Sequence, residues 1–142
     1  MIPAGHVDTT HLASTGLDLI PTLYDFAGVT VPPSLKGRSL KPLAADPGQS
    51  ANWRDCLVSE NERSRILRSD RFKYAVYDHG AAREILVDER DDPGEMHNLA
   101  QDVKYHDILA SHRALLREWY RTNGEALDAA FVVPEKPRDG LT

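Results

Sequence analysis

The side chains able to do chemistry are six histidines, one cysteine, an acidic run and a basic group. The histidines are His6, His11, His79, His97, His106 and His112. None forms the His-x-x-x-His or His-Glu-x-x-His pair that sets two imidazoles on one helix turn around zinc. No metal site is expected from them, and His112 reads as a packed helix residue. Asp88, Asp91, Asp92 and Glu95 gather carboxylates in one short stretch. A calcium loop needs acidic ligands at alternating positions and glycine at the sixth. Asp88-Glu89-Arg90-Asp91-Asp92-Pro93 has proline there, so the stretch reads as a turn held by side-chain-to-backbone bonds. Arg63, Arg65, Arg68, Arg71 and Lys73 fall on adjacent predicted strands. They suit either a patch that attracts an anionic substrate or a solvated sheet face, and the second reading is the simpler. Asp78-His79-Gly80 marks a hairpin tip, where an exposed loop is the ordinary expectation. Trp53, Trp119 and Tyr120 suggest a sugar platform, but Trp119 and Tyr120 sit where core or interface residues belong.

These side chains need elements to hold them. A helix is predicted from about Asp18 to Ala27, with Asp18 as a cap and Pro21 tolerated near the start. Leu19, Leu23, Phe26 and Ala27 form its apolar face, and Gly28 stops it. The first ten residues read as a polar lead-in loop. Residues 31–52 are proline- and glycine-rich and form a connector, with a short helical turn near Ser39–Ala44. Four strands are predicted at Asp55–Glu60, Ser64–Ser69, Arg71–Tyr77 and Glu84–Asp88. Phe72, Tyr74 and Val76 alternate with Arg71, Lys73 and Ala75, as one buried sheet face requires. Short connectors imply an antiparallel meander.

After the Asp91-Asp92-Pro93-Gly94 turn, Asn98 and Asp102 are candidate helix caps. A helix then spans about Lys104–Asn123, with Ile108, Leu109, His112, Leu115, Leu116, Trp119 and Tyr120 as its stripe. Asn123-Gly124 ends it, and residues 125–142 read as an extended or frayed tail. The expected fold is α+β: a small four-stranded antiparallel sheet packed against a C-terminal helix, preceded by a short helix and a proline-rich connector.

The chain has 142 residues, room for one modest core. Hydrophobic residues make up 41% and charged residues 27%, too apolar for a disordered chain. The net charge of −5 argues against a nucleic-acid binder, which needs a basic surface. No apolar run approaches the ~18–20 residues of a membrane span, and no signal peptide is visible. Cys56 stands alone, so the fold must rest on burial rather than a disulfide.

Three segments together resemble the sulfatase family. The first is Ser14–Gly28, STGLDLIPTLYDFAG, followed by Leu35-Lys36-Gly37-Arg38-Ser39-Leu40; it looks like the family's D-L-x-P-T-L…A-G helix and G-x-S-L turn. The second is Arg68–Tyr77, RSDRFKYAVY, similar to R-x-D-R-Y-K-Y. The third is Leu86–Ala100, LVDERDDPGEMHNLA, similar to L-Y-D-L-x-x-D-P-x-E-x-x-N-L, with Val87 where the family usually has an aromatic.

The resemblance implies a C-terminal portion whose chemistry lies upstream. There the family places formylglycine, made within a Cys/Ser-x-Pro-x-Arg motif, and the ligands of a divalent cation, usually calcium. Cys56 is followed by Leu57-Val58-Ser59 and does not match that motif. No catalytic residue, metal ligand or cofactor is therefore expected within this chain. Asp78, His79 and Arg83 are the substrate-proximal candidates, because loops of this subdomain border the family's cleft. The resemblance also divides the chain. Residues 1–52 would close the catalytic domain, 53–124 would form the sheet-plus-helix subdomain, and 125–142 the tail. The expected partners are an N-terminal catalytic domain of the same protein and, for the whole protein, a sulfated small molecule or glycan. No nucleic acid or membrane is expected as a partner. An exposed apolar patch at Leu19, Leu23 and Phe26 is expected where the catalytic domain belongs, with self-association through it. The compartment stays open between cytoplasm and export. Two rival readings are a related phosphate or phosphonate ester hydrolase and a stand-alone, non-enzymatic binding module.

Overall fold

The computed structural model describes residues 8–45 and 53–134. The chain divides into two compact units, Met1–Leu57 and Val58–Thr142. Trp53 and Arg54 reach Leu12 and Asp18, so residues 53–57 group with the first unit.

In the first unit, helix α1 spans Thr15–Phe26 and the short helix α2 spans Lys41–Ala45. The spacing predicted a start at Asp18; the helix begins one turn earlier, with Ser14 at the cap position. Asp18 lies inside the first turns and accepts the Ser14 backbone N–H at 2.8 Å, so it secures the helix start from within. Pro21 also lies inside the helix and has no N–H to offer the Leu17 carbonyl. Gly28 follows in the left-handed region at φ 68° and ends the helix as expected.

The segment after α1 is bonded to the helix's polar side. Asp18, Thr22 and Asp25 share one stripe by their four- and three-residue steps. The Arg38 N–H donates to Asp18 Oδ1 at 2.9 Å, and the Leu40 N–H donates to Thr22 Oγ1 at 2.9 Å. Lys41 Nζ donates to Asp25 Oδ1 at 2.9 Å. Gly37 makes this approach sterically feasible, since a Cβ there would stand 1.7 Å from the Leu17 carbonyl oxygen. The helix thus buries Asp18 and Pro21, while Leu19, Ile20, Leu23 and Phe26 remain exposed.

The second unit carries a sheet of strands β1 (Leu57–Glu60), β2 (Ser64–Arg68), β3 (Phe72–Tyr77) and β4 (Glu84–Asp88), in that order. The predicted strands are present, each within about two residues of its expected ends. In register, Leu67 stands opposite Tyr74 and Tyr74 opposite Leu86, and all three are buried. Each apolar side chain so enclosed contributes roughly 1.5–3 kcal/mol. Ala75 and Val87, on the opposite face, are buried as well, so that face is not the plain solvated surface the alternation implied.

Asn98 does not cap a helix. It completes the outer edge of β4: its Oδ1 accepts the Leu86 N–H at 3.0 Å and its Nδ2 donates to the Glu84 carbonyl at 3.0 Å. The Leu99 N–H donates to the Leu86 carbonyl at 2.8 Å. One amide side chain therefore imitates a strand's donor and acceptor along an edge that would otherwise invite pairing.

Asp102 caps a single 3-10 turn, Val103–Tyr105, which leads into α3 (His106–Thr122). Leu109, His112, Leu116 and Tyr120 of α3 are buried, and Leu115 is exposed. The buried stripe is narrower than predicted because Arg113, rather than Leu115, turns to the sheet and binds Glu84. Gly124, at φ 73°, stops the helix. The tail is not uniformly extended. Residues 129–131 make a 3-10 turn capped by Asp128, and Phe131 is buried with the Arg65 guanidinium 4.0 Å above its ring. The last part of the predicted tail, residues 135–142, lies outside the described residues.

Candidate functional site

The three substrate-proximal candidates sit on the β3–β4 hairpin. The Tyr77 N–H donates to the Arg83 carbonyl at 2.9 Å and closes the loop. Asp78 and His79 lie at its tip and pair through Asp78 Oδ1 and His79 Nδ1. The hydrogen bond from His79 holds the Asp78 carboxyl below the usual carboxylate range. Arg83 points elsewhere. Its Nε donates to the Tyr77 carbonyl at 2.9 Å and its Nη2 to the Ala130 carbonyl, so it clamps the 129–131 turn to the hairpin. The structure therefore joins Asp78 with His79 and separates Arg83 from them by role.

Polar clusters deeper in the second unit are closed onto themselves. Glu84 is buried and binds Arg113 through two hydrogen bonds, with Tyr74 Oη donating to Oε1 at 2.7 Å. Burial pushes the Glu84 carboxyl up, but Arg113 and Tyr74 together bring it below its ordinary range. Burial and the neighbouring carboxylate push the Tyr74 phenol well above its ordinary range. Tyr120 Oη donates to Glu60 at 2.5 Å, and burial followed by that bond pushes its phenol up to about 12. Neither phenol is available as a base near neutral pH. The crevice beside Tyr74 and Arg113, lined also by Leu116, Leu127 and Phe131, has a volume of about 10 Å³. That is room for about one water and not for a sugar.

Ser69 and His112 sit in the geometry of a nucleophile and its base, with Oγ 3.0 Å from Nε2. Ser69 Oγ, however, also accepts the Phe72 N–H at 3.2 Å and lies 3.1 Å from the Phe72 carbonyl, so it closes the β2–β3 turn. His112 Nδ1 lies 2.7 Å from the Ile108 carbonyl, which sets Nδ1 as donor and Nε2 as acceptor. Phe72 packs edge-on against the ring. Burial pushes the imidazole below its ordinary 6.5, and the Ile108 bond only partly offsets this. Stability held by neutral His112 is complete above that ordinary value and is lost as pH falls from it toward the depressed one. His112→Gln is expected to remove that slope, which is at most about 1.4 kcal/mol per pH unit. Urea unfolding of both proteins from pH 7 to 5 reads it, and parallel profiles would refute the assignment.

The acidic run does not fit a divalent cation. Asp88 and Asp91 bind Arg71, Glu95 binds Lys73, and Asp92 accepts the His97 N–H. Among the described residues, no three His, Cys, Asp or Glu side chains converge as a metal site. The residue of the Asp92–Glu95 turn that takes a positive φ is Glu95, at 55°, and not Gly94. Cys56 does not fit a nucleophile either, since burial and then Asp55 push its thiol up. Most of the basic group is neutralised: Arg65 lies against Glu60, Arg68 against Glu89, Arg71 against Asp88, and Lys73 against Glu95. A set of paired, partly buried cations is therefore the better description than an anion patch.

The first unit holds one cluster that sequence reasoning missed. Asp18 is fully buried and binds Arg54 through Nη1–Oδ2 at 2.5 Å and Nη2–Oδ1 at 2.6 Å. Burial raises the Asp18 carboxyl, and Arg54 with the Arg38 and Ser14 N–H groups more than offsets it, leaving the group lowered. Arg54 lies 5.0 Å and Arg38 5.8 Å from the centre of the Trp53 ring, whose Nε1 donates to the Leu12 carbonyl at 2.8 Å. His11 meets the ring edge-on and binds Asp8 at 2.5 Å. Trp53 is therefore a packing residue, not a sugar platform. Trp119 and Tyr120 also pack on each other, edge to face at 5.2 Å. No local signal announces the Asp18–Arg54 pair, because 36 residues separate its partners.

The α+β architecture and the three sequence segments define a C-terminal sulfatase domain. The chain belongs to the family described as N-sulphoglucosamine sulphohydrolase, C-terminal, which matches residues 3–122. It is 40% identical over 115 residues to the Delta 4,5-hexuronate-2-O-sulfatase of Bacteroides thetaiotaomicron, covering 76% of this chain and 24% of that protein. It is 32% identical over 109 residues to human arylsulfatase K, covering 67% and 20%. Among solved structures it resembles a 2-O GAG sulfatase, with 38% identity and a TM-score of 0.71, covering 81% of this chain and 26% of that one. The chain thus spans about a quarter of the length of these sulfatases.

Proposed function

We propose that this domain belongs to an enzyme that hydrolyses sulfate esters of a sulfated glycan, and that the domain borders the cleft without supplying the reactive groups. The 40% identity to a hexuronate-2-O-sulfatase carries this reading. Sulfate-ester hydrolysis requires an activated nucleophile, cationic groups for the sulfuryl oxygens and an acid for the leaving group. The described titratable clusters are each satisfied internally, which suits a scaffold. The formylglycine and divalent cation implied by the resemblance fall to the preceding part of such an enzyme. Asp78 and His79 are the side chains offered to substrate, and Arg83 acts as a positioning residue that fixes their hairpin.

A chimera tests the reading. The matched C-terminal quarter of the Bacteroides 2-O-sulfatase is replaced by this chain. The chimera is expected to retain turnover of a 2-O-sulfated unsaturated uronide, while the isolated chain gives none with an aryl sulfate. Within the chimera, His79→Ala is expected to raise KM several-fold with kcat little changed, the mark of lost ground-state binding. A folded chimera without sulfatase activity, or one that prefers a phosphate or phosphonate ester, would count against the proposal. Turnover by the isolated chain would overturn its non-catalytic part.

A further inference from the structure

The end of the sheet that carries Asp78 and His79 is held by segments far apart in sequence. Asn61 sets the β1–β2 turn, its Oδ1 accepting the Arg63 and Ser64 N–H groups at 2.9 Å each. The Asp78 N–H donates to the Arg63 carbonyl at 3.2 Å, which ties the hairpin tip to that turn. Arg63 is the exposed member of the basic group that enters no ion pair among the described residues. Its charge reaches Asp78, where it adds to the His79 bond in holding that carboxyl down.

The C-terminal turn reaches both of these turns. Asp128 accepts the Ala130 N–H through Oδ1 at 2.8 Å and the Phe131 N–H through its carbonyl at 2.9 Å. Phe131 is buried while Ala129, Ala130 and Val132 are exposed, which makes that ring the anchor of the turn. The Arg65 guanidinium lies 4.0 Å from the ring centre, and Arg65 Nη1 donates to the Asn61 carbonyl at 2.6 Å. On the other side, Arg83 bridges the Ala130 carbonyl and the Tyr77 carbonyl. The turn has no core of its own and is held by one ring and one clamp, so it opens locally more easily than the strands. Resting on the reading that Asp78 and His79 are offered to substrate, we infer that Asp128–Phe131 is a strap that sets the Asp78–His79 tip against Arg63. Phe131 and Arg83 are then positioning residues for the anionic glycan, which meets Arg63 with no carboxylate bonded to it.

Coupling between strap and hairpin is reciprocal, so amide hydrogen exchange in the whole chain reads it from both sides. Phe131→Ala is expected to speed exchange of the Tyr77 and Asp78 N–H groups about tenfold or more, and Arg83→Met to do the same at Phe131 and Val132. The Leu86 N–H, bonded to Asn98 at the far edge, is expected to keep its rate in both. Phe131→Leu refills the slot and is expected to restore most of the protection. In the chimera, Phe131→Ala is expected to raise KM for the 2-O-sulfated unsaturated uronide several-fold with kcat little changed, and Phe131→Leu to recover most of it. Faster exchange at Leu86 as well would make Phe131 an ordinary core residue and overturn the inference, as would unchanged exchange at Tyr77 and Asp78. A KM unmoved by Phe131→Ala in an active chimera would also overturn it. If Phe131→Ala does not fold, Arg83→Met decides, and protection kept at Phe131 and Val132 overturns the strap. An inactive chimera whose exchange still shows the reciprocal pattern counts against the sulfatase reading alone.

Discussion

Gly37→Ala is expected to unfold the first unit while the second stays folded. The added Cβ would stand 1.7 Å from the Leu17 carbonyl oxygen and 2.4 Å from its carbon, and both atoms are backbone. Overpacking in a core that can yield by side-chain movement costs about 1–3 kcal/mol. This collision cannot be relieved that way. Backing the loop off α1 would break the Arg38–Asp18 and Leu40–Thr22 bonds that begin one and three residues later. The loss should therefore exceed the ordinary range. Each unit carries one tryptophan, Trp53 in the first and Trp119 in the second. Fluorescence of Trp119→Phe and Trp53→Phe backgrounds reads them separately. An alanine variant whose Trp53 transition lies within about 0.5 kcal/mol of the parent, the range of a neutral surface change, would show that the close approach is not needed.

Removal of Arg54 is the second large effect. Asp18 has no exposed surface, and among the described residues Arg54 supplies two of the four hydrogen bonds that reach its carboxylate. Arg54→Ala strands a buried carboxylate, a change that costs about 3–5 kcal/mol. Arg54→Lys should restore little, because an ammonium cannot reproduce the two-pronged geometry. Acid sensitivity checks the mechanism with a definite sign. The folded Asp18 carboxyl titrates below its ordinary 3.8. Its contribution is then complete above that value and disappears as pH falls through the lower folded one. The acid-induced loss read at Trp53 should be smaller in Arg54→Ala than in the parent. An unchanged urea midpoint, or an unchanged acid profile, would contradict the role given to the pair.

Both effects concern the segment that resembles the family's D-L-x-P-T-L and G-x-S-L motifs, and the structure supplies a mechanical reading of them. Asp18, Thr22 and Gly37 join a helix to the loop that follows it. The third resembling segment is similar in kind. Asp88 anchors the turn by binding Arg71 and the Arg90 N–H, and Asn98 finishes the sheet edge.

Short-range pattern was enough for much of this protein. The alternation through Phe72–Tyr77 announced its strand, and the three- and four-residue steps from Ile108 to Tyr120 announced α3. Gly28 and Gly124 marked the helix ends, and the segment motifs led to the sulfatase family. Each of these is local, written in neighbours a few residues apart. Partners separated by tens of residues leave no such trace. Periodicity found the apolar stripe of α1 but did not say which side of the helix its own unit would bury. That was settled by Arg38, Leu40 and Arg54, 18 to 36 residues away. Tertiary contact likewise turned Arg83 into a clamp on Ala130 and Asn98 into an edge cap. It also buried Phe131 in a tail that composition marked as frayed. A side chain's type limits the bonds it can make, and only the folded path selects among them.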